Sequence, residues 1–383
     1  MQIAIIGAGG VGSAAARFLA QEGHQVLLLE QFTLDHDRGS SFGESRIIRR
    51  TYPDRLYTQL MDAAYPLWEE LQNDAQEELF VRTGGIYFGR AGHPIVSAVE
   101  DALQSIGTAY EKLSAAACNS RFPGFRLLPG EEAVYQADSG FLRASACVRA
   151  NVRLARHFGA ELRESVQVRA ISRQGAGWLV EMNNESIAVE RVLVTAGAWT
   201  GSLLAPLQLP LQPTRQQYGY LRIAAHAEFF QPDRFPVWID AGNNGRSSFY
   251  GFPADGHIDG VKFAWNDRDD PVDPDDVNCN VDNDYTEALQ RYAAVRMPDL
   301  SSDVVYAKTC LYTDTPDRDF VIDAVPDKPG VFMISACSGH GFKFTVLMGR
   351  IGADLVSGKT PPYDLSRFSL SRFPAQVPQS SGT

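Results

Sequence analysis

The chain has 383 residues, 44% hydrophobic and 21% charged, with a formal net charge of -11. This is the composition of a globular protein of about two domains, and an acidic balance with no basic run or aromatic–basic stripe argues against a nucleic-acid partner. No apolar stretch reaches the roughly 18 residues of a membrane helix, and the cysteines, at 118, 147, 279, 310 and 337, are odd in number and form no C-x-x-C pair, so neither a disulfide framework nor a zinc site is expected and a reducing cytoplasm is.

Residues 2–6 read as a short buried strand and lead into the turn Gly7-Ala8-Gly9-Gly10-Val11-Gly12. Helical spacing follows over 11–22, then a second apolar strand at 25–29 that ends in Glu30. The early apolar run is consumed by this G-x-G-x-x-G pattern, so it is a strand and not a signal peptide. Strand, glycines, helix, strand and acid come in the order a dinucleotide needs. Gly7 permits the tight turn, Gly9 lets the backbone approach a pyrophosphate, and Gly12 lets helix and strand pack closely. The helix N-terminus offers N–H groups to phosphates, and Glu30 is placed to accept from ribose hydroxyls. This stretch alone does not separate FAD from NAD.

A polar loop, 31–39, precedes Gly39-Ser40-Ser41-Phe42-Gly43-Glu44-Ser45-Arg46-Ile47-Ile48-Arg49-Arg50. If 46–50 run extended, Arg46 and Arg50 share one face with Ile48 and Arg49 points to the other. These arginines fit a solvated basic strand, or an anion clamp beside the cofactor, because a guanidinium matches a carboxylate bidentately. Periodicity predicts a helix over 57–71 with Trp68 in the core, a strand over 83–89, a helix over 94–106 and a short strand over 133–137. Ser139-Gly140 is read as a turn into a helix at 144–158. Strands follow at 159–162 and 166–171, then a hairpin-like pair at 178–182 and 187–194. The second member runs into Thr195-Ala196-Gly197-Ala198-Trp199, which suits either a second dinucleotide contact or a plain strand end.

From 209 to 306 the pattern changes to strands between Pro and Gly turns, at 218–223, 237–240, 247–252 and 260–265, without a βαβ rhythm. The acidic run 267–284 lacks the central glycine and final glutamate of a calcium loop, so it is read as a solvated loop and no metal is expected. A helix reaches 296. The last section holds Lys308-Thr309-Cys310-Leu311-Tyr312-Thr313, a strand at 331–335, then Cys337-Ser338-Gly339-His340-Gly341-Phe342-Lys343-Phe344 and a helix to 356. Gly339 and Gly341 at a strand–helix junction suggest a backbone pressed against a ligand. The end from Pro374 is expected to be a loose tail.

The glycine-rich start, 39–50, 196–199, 308–312 and 338–344 together resemble the D-amino-acid-oxidase superfamily of flavoproteins. Within it the chain is similar to the monomeric sarcosine oxidase and L-pipecolate oxidase branch, over essentially its whole length. The resemblance implies an α/β fold: a Rossmann-like FAD-binding domain, 1–83, 140–208 and 318–383, interleaved with an α+β substrate domain, 84–139 and 209–317, on a mixed, largely antiparallel sheet. It implies a monomer that binds FAD, usually covalently through a cysteine matching Cys310. It further implies oxidation of secondary amines of amino acids to imines, with O2 reduced to hydrogen peroxide. Since a neutral amine can pass hydride to flavin N5 without a strong base, placement, charge and dryness are what the protein must supply.

By the same resemblance, Gly7, Gly9, Gly10, Val11, Gly12, Glu30, Ser40, Ser41, Ala196, Gly197, Trp199, Cys310, Gly339, His340, Gly341, Phe342 and Lys343 would surround the cofactor. Ser45 and Arg46 would sit against the flavin ring, and Lys262 would lie near N5 and act on oxygen. Arg49 and Lys343 would hold the substrate carboxylate, and Tyr250, Phe252 and Tyr312 would line the amine pocket. Taken alone, Cys310 reads as a core thiol, Lys262 as an edge residue and His340 as a structural histidine. Phe42, Asn266, Cys337 and Arg143 depart from the family pattern and bear on which amine is accepted. A flavin dehydrogenase of the same fold, a nucleotide-binding protein without redox work and an NAD-dependent dehydrogenase are the rivals, and the last accounts for the first thirty residues only.

Overall fold

The computed structural model describes residues 1–242, 248–266 and 270–373. The expected strand start at Ser247, the first three residues of the acidic run (267–269) and the tail from Pro374 lie outside these. Two large sheets organise the rest. The first has six strands in the order Val321–Ala324, Val331–Ser335, Arg191–Val194, Gln2–Ile6, Gln25–Leu29, Glu161–Arg163. All its neighbours run parallel except the antiparallel edge pair Val321–Ala324 and Val331–Ser335. This is a doubly wound sheet, and its strands are apolar because helices and a second layer cover both faces.

Helices Gly10–Gln21, Ala144–His157 and Thr345–Ser357 pack together on one face. The first and last approach closely because their contact is made of small residues: a Cβ on Gly349 would come within 2.5 Å of Ala14 Cβ. Arg17, buried inside the first helix, ties it to Arg55–Ala75 through Glu70 at 3.2 Å and Asp74 at 3.3 Å. The opposite face is covered by a three-stranded antiparallel sheet, Val168–Gln174, Gly177–Met182 and Ser186–Val189, through Trp178, Val180 and Val189.

The second large sheet has nine strands and is mostly antiparallel. Its spine is the long pair Gln212–Ile223 and Leu300–Asp314, with register shifts between Tyr220 and Ile223. Strands Val261–Asn266, Ser248–Gly251, Val237–Asp240 and Gly85–Arg90 follow in turn. Helix Asn283–Arg296 packs against it with Tyr285 and Leu289 in the core.

Several sequence expectations are corrected. The apolar run 187–194 is two strands, because Ser186–Val189 pairs with Gly177–Met182 while Arg191–Val194 leaves for the six-stranded sheet. Periodicity is blind to such a change of sheet. Gly140 does not belong to a turn with Ser139: Gly140–Leu142 is the middle strand between Arg46–Ile48 and Phe80–Arg82. Gly140 fits there because a Cβ would meet Val81 O at 2.0 Å. The extended stretch after Ser45 ends at Ile48, so Arg50 turns outward to Asp62 and to Asp138 at 3.1 Å. The final helix starts at Thr345, after a 3-10 turn at Phe342–Phe344.

Candidate functional site

A cleft of about 380 Å³ opens along the C-terminal edge of the six-stranded sheet, the place where doubly wound sheets bind ligands. Its floor is the 7–11 turn, whose shape is imposed by contacts no other residue type allows. Gly7 has φ +100°, and a Cβ on it would lie 2.5 Å from Thr195 O. A Cβ on Gly12 would lie 1.9 Å from Gly7 O. Thr195 Oγ1 donates to Ile6 O or Gly7 O, at 3.1 and 3.0 Å, and locks the adjacent strand end to the turn. Ser41 Oγ accepts from Gly10 N at 3.0 Å, so the 40–41 segment lies over the helix start. Gly9, the N-cap, makes no side-chain cap bond of its own.

At the far side of the turn the Glu30 carboxylate accepts from Ala8 N at 2.9 Å and Phe32 N at 3.1 Å, with His36 Nε2 at 3.4 Å. Burial alone would raise its pKa, but the His36 contact and the two N–H bonds hold it below the ordinary range. Phe32, His36 and Trp199 form an edge-to-face aromatic group, and Trp199 Nε1 donates to Asp275 at 2.7 Å. Of the residues expected around a cofactor, Gly7, Gly9, Gly10, Val11, Glu30, Ser40, Ser41, Ala196, Gly197, Trp199 and Phe342 line this cleft. Gly12 acts one layer beneath. The pinched glycine turn, the helix N-terminus and the buried acid fit a dinucleotide's pyrophosphate and ribose. Reasoning from the sequence missed the wall made by Gln167, Val168 and Arg169 and by Ser335, Ala336 and Thr345. Those residues carry no recognisable motif and reach the cleft only through sheet order.

Arg46, Cys310, Gly339, His340, Gly341 and Lys343 do not line this cleft. The Arg46 side chain turns back on the loop before it: its guanidinium donates to the carbonyls of Ser45 at 2.8 Å, Phe42 at 2.8 Å and Ser40 at 3.0 Å, bracing the loop. Gly341 is pinned, since a Cβ would meet Ala336 O at 1.8 Å, and a Cβ on Gly339 would meet the Tyr312 ring at 2.7 Å. The His340 side chain turns away into Tyr52, Tyr57 and Phe320, with Tyr52 OH at 3.2 Å from Nδ1 and Arg318 O at 3.1 Å from Nε2. Burial first, then nearby Lys343, push its pKa down to about 3, so it is neutral at working pH. Its ring is held in the interior by the Tyr52 and Arg318 contacts.

Lys262 is buried in strand Val261–Asn266 and donates to Ser45 O at 3.0 Å and Ser45 Oγ at 3.2 Å. Its ammonium lies 4.5 Å from the Tyr218 ring centre and 5.0 Å from that of Phe252. Burial, then the charge of Arg46, lower its pKa to about 7. Cys310 belongs to the same neighbourhood: burial raises its thiol pKa, while Arg46 and Lys262 oppose that rise. Cys337 lines the cleft, and its Sγ accepts from Thr313 N at 3.3 Å.

A second pair of cations converges on Tyr52. Arg49 stacks on its ring at 4.1 Å, and Lys343 Nζ donates to its hydroxyl at 3.0 Å. Burial, then Arg49, lower the Lys343 pKa well below the ordinary lysine value. Among the described residues neither cation has a carboxylate within 4.0 Å. The Tyr250 and Tyr312 hydroxyls meet at 3.1 Å. Phe252 is 1% exposed and packs on Phe141, Ile47 and Val237, edge-on to Tyr250.

No helix among the described residues is long and apolar enough to cross a membrane. Comparison with known proteins agrees with the geometry. A family model described as FAD dependent oxidoreductase (DAO) matches residues 2–355. The N-methyl-L-tryptophan oxidase of Citrobacter koseri is 32% identical over 373 residues, covering 96% of this chain and 98% of that protein. The Salmonella typhimurium enzyme of the same name is equally similar, at 32% over 373 residues. Among solved structures, NikD, described as an unusual amino acid oxidase essential for nikkomycin biosynthesis, superposes with a TM-score of 0.84 at 27% identity over 96% of both chains. L-proline dehydrogenase from P. horikoshii shares the fold, with a TM-score of 0.84 at 18% identity over 97% of both chains. The chain belongs to the FAD-dependent oxidoreductase family.

Proposed function

We propose that the chain is an FAD-dependent oxidase of secondary amino acids, of the N-methyl or cyclic type, giving an imine and passing the electrons to O2 with release of hydrogen peroxide. The observation that carries it is the Arg49–Tyr52–Lys343 arrangement. Two cations held together in a partly dry place, without a protein carboxylate, call for an anion, and an amino acid's carboxylate supplies one. Relatives named N-methyl-L-tryptophan oxidase, matched end to end, support the substrate class.

When bound, FAD supplies the acceptor for the hydride of the amine's α-carbon and passes the electrons to oxygen. The protein's part is placement and charge. The 7–12 turn, Glu30, Ser41 and Trp199 are assigned to the nucleotide end, with Ser45 and Arg46 beside the ring and Cys310 as its covalent attachment. Arg49 and Lys343 fix the carboxylate, so the α-carbon presents one face, and the Tyr250–Tyr312 pair borders the amine. Lys262 is assigned to the oxygen step, because a fixed ammonium in a dry site stabilises negative charge developing on oxygen. We assign residues 1–83, 140–208 and 318–383 to cofactor binding, which the strand composition of the six-stranded sheet supports, and 84–139 and 209–317 to the substrate. All five cysteines are free thiols, which fits a reducing compartment, and we assign the chain as a cytoplasmic monomer.

The test is peroxide release from flavin-loaded protein over a panel of N-methyl and cyclic amino acids. Peroxide with these and not with the matched amines lacking a carboxylate is the expected result. Flavin that no secondary amino acid reduces under anaerobic conditions would refute the reading. Reduction without peroxide in air would move it to a dehydrogenase.

A further inference from the structure

Four carboxylate residues are buried among the described residues: Glu30, Asp255, Asp314 and Asp319. Three have a basic side chain against them. Glu30 has His36 at 3.4 Å, Asp314 has Arg318 at 2.8 Å and Asp319 has Arg367 at 2.7 Å. Asp255 has none within 4.0 Å among the described residues. Its Oδ2 accepts from the Tyr220 hydroxyl at 2.7 Å and from Ser45 Oγ at 3.3 Å, and its Oδ1 accepts from His257 N at 3.1 Å. Lys262 has the mirror-image problem, being a buried lysine with no carboxylate in direct contact. Both groups end on the same serine: Ser45 Oγ donates to Asp255 and accepts from Lys262 Nζ at 3.2 Å.

A buried charge without a counter-charge is strongly disfavoured, and the usual escape is neutralisation by a proton shift. A hydroxyl that donates one way and accepts the other is polarised in the sense that suits a carboxylate on one side and an ammonium on the other. We infer that Asp255 is the counter-charge of Lys262, acting through the Ser45 hydroxyl to keep the lysine an ammonium at working pH. It is a positioning residue for the oxygen step, and the inference rests on the proposed function for that use alone.

The charged surroundings agree. From the loop carrying Ser45, Arg46 opposes the ammonium and Glu44 favours it; Asp255 ranks next after burial and Arg46 among the influences on Lys262, and raises its pKa. From strand Leu300–Asp314 the Cys310 thiol faces the same space. From strand Gln212–Ile223 come the Tyr218 ring and the Tyr220 hydroxyl. Arg143 reaches the backbone carbonyl of Asp255 at 3.4 Å and not its carboxylate. His257 is largely exposed and turned to Glu44 at 3.9 Å. Among the described residues, Asp255 is therefore the buried carboxylate that Ser45 links to Lys262.

The test reads the lysine itself. In holoenzyme with 13C-labelled lysine, the Lys262 Cε resonance is assigned by its loss in Lys262→Met, and its pH titration is followed. Asp255→Asn should move the midpoint down by about one pH unit or more, roughly tenfold in the protonation constant, and Asp255→Glu should restore most of it. The alkaline limb of flavin reoxidation should move with the midpoint, while anaerobic reduction by substrate keeps its rate. Should Asp255→Asn not fold, Ser45→Ala serves: the ammonium loses an acceptor and the midpoint should fall by a smaller amount. A midpoint indistinguishable from the native one in the variant that folds would overturn the inference. That readout stands whether or not any amine proves to be oxidised, so its failure and that of the oxidase reading are separate events.

Discussion

Arg49 and Lys343 reach the same tyrosine from different elements, the guanidinium 4.1 Å from the Tyr52 ring centre and the ammonium 3.0 Å from its hydroxyl. Tyr52 thus touches both charges, one through its ring and the other through its hydroxyl. It is itself held by His340, whose ring is locked among Tyr57, Phe320 and Phe344. In the proposed reading this arrangement is a clamp set before substrate arrives, and such preorganisation is what lets binding energy orient a reacting carbon.

Truncating either cation should weaken substrate binding by about 2–5 kcal/mol, because the partner charges are left mispaired. Arg49→Ala and Lys343→Ala should each raise Kd in anaerobic titration with a substrate found in the peroxide screen. Binding should also take up a proton. Lys343 is held well below its ordinary pKa by burial and by Arg49, and a carboxylate against it favours the ammonium again. Affinity should then fall as pH rises above the free-enzyme pKa of Lys343, and Lys343→Met should lose that slope. A Kd independent of pH in the native enzyme would argue against the assignment.

The turn beneath the cofactor should tolerate no side chain. In Gly12→Ala the new methyl would sit 1.9 Å from a backbone carbonyl oxygen, which only a shift of strand against helix can relieve. Overpacking of ordinary cores costs about 1–3 kcal/mol, and here the obstacle is backbone, so the upper end or more is expected. The variant should show a lower Tm and little bound flavin. Native flavin content in Gly12→Ala would show that the helix can slide and that the turn is less pinched than the contact implies.

Flavin attachment can be read by eye. Acid precipitation of native protein should leave the yellow colour in the pellet, and Cys310→Ser should release it to the supernatant. Cys337→Ser should not, although Cys337 lines the cleft. The competent nucleophile is a thiolate, and Arg46 and Lys262 are the cations that favour one at Cys310 against its burial. Colour retained in Cys310→Ser would move the attachment elsewhere.

Much of this was legible in the sequence, for reasons that differ by residue. The 2–30 unit was readable because strand, glycines, helix and acid each constrain the next. Residue type does not tell Arg49 from Arg50; the resemblance singles out Arg49, and in the structure the two part where strand Arg46–Ile48 ends. Phe252 was placed in the pocket by likeness, and strand alternation puts Tyr250 and Phe252 on one side with Phe252 deeper, against Phe141. Asp255 was invisible. In Ala254-Asp255-Gly256 an aspartate reads as a turn former, and it does accept from His257 N in that way. Its second role exists only because Ser45, from a segment 210 residues earlier, is folded against it.

In the proposed chemistry, substitution of Lys262 should separate the two half-reactions. Its ammonium is buried, bonded to Ser45 and flanked by the Tyr218 and Phe252 rings, so it is oriented before any charge appears. Oxygen gains negative charge as it accepts electrons, and a preorganised cation in a dry site lowers that barrier. By comparison with the loss of one such donor elsewhere, Lys262→Met should slow reoxidation by roughly a hundredfold or more. Reduction by substrate under anaerobic conditions should change far less, because hydride leaves a neutral amine without help from this charge. The pH dependence carries a sign. The ammonium is present below its pKa of about 7 and lost above it, so native reoxidation should slow as pH rises through that region and Lys262→Met should be flat there. Stopped-flow measurement of the two half-reactions across pH decides it: a variant that loses reduction but keeps fast reoxidation would assign Lys262 to the amine and not to oxygen.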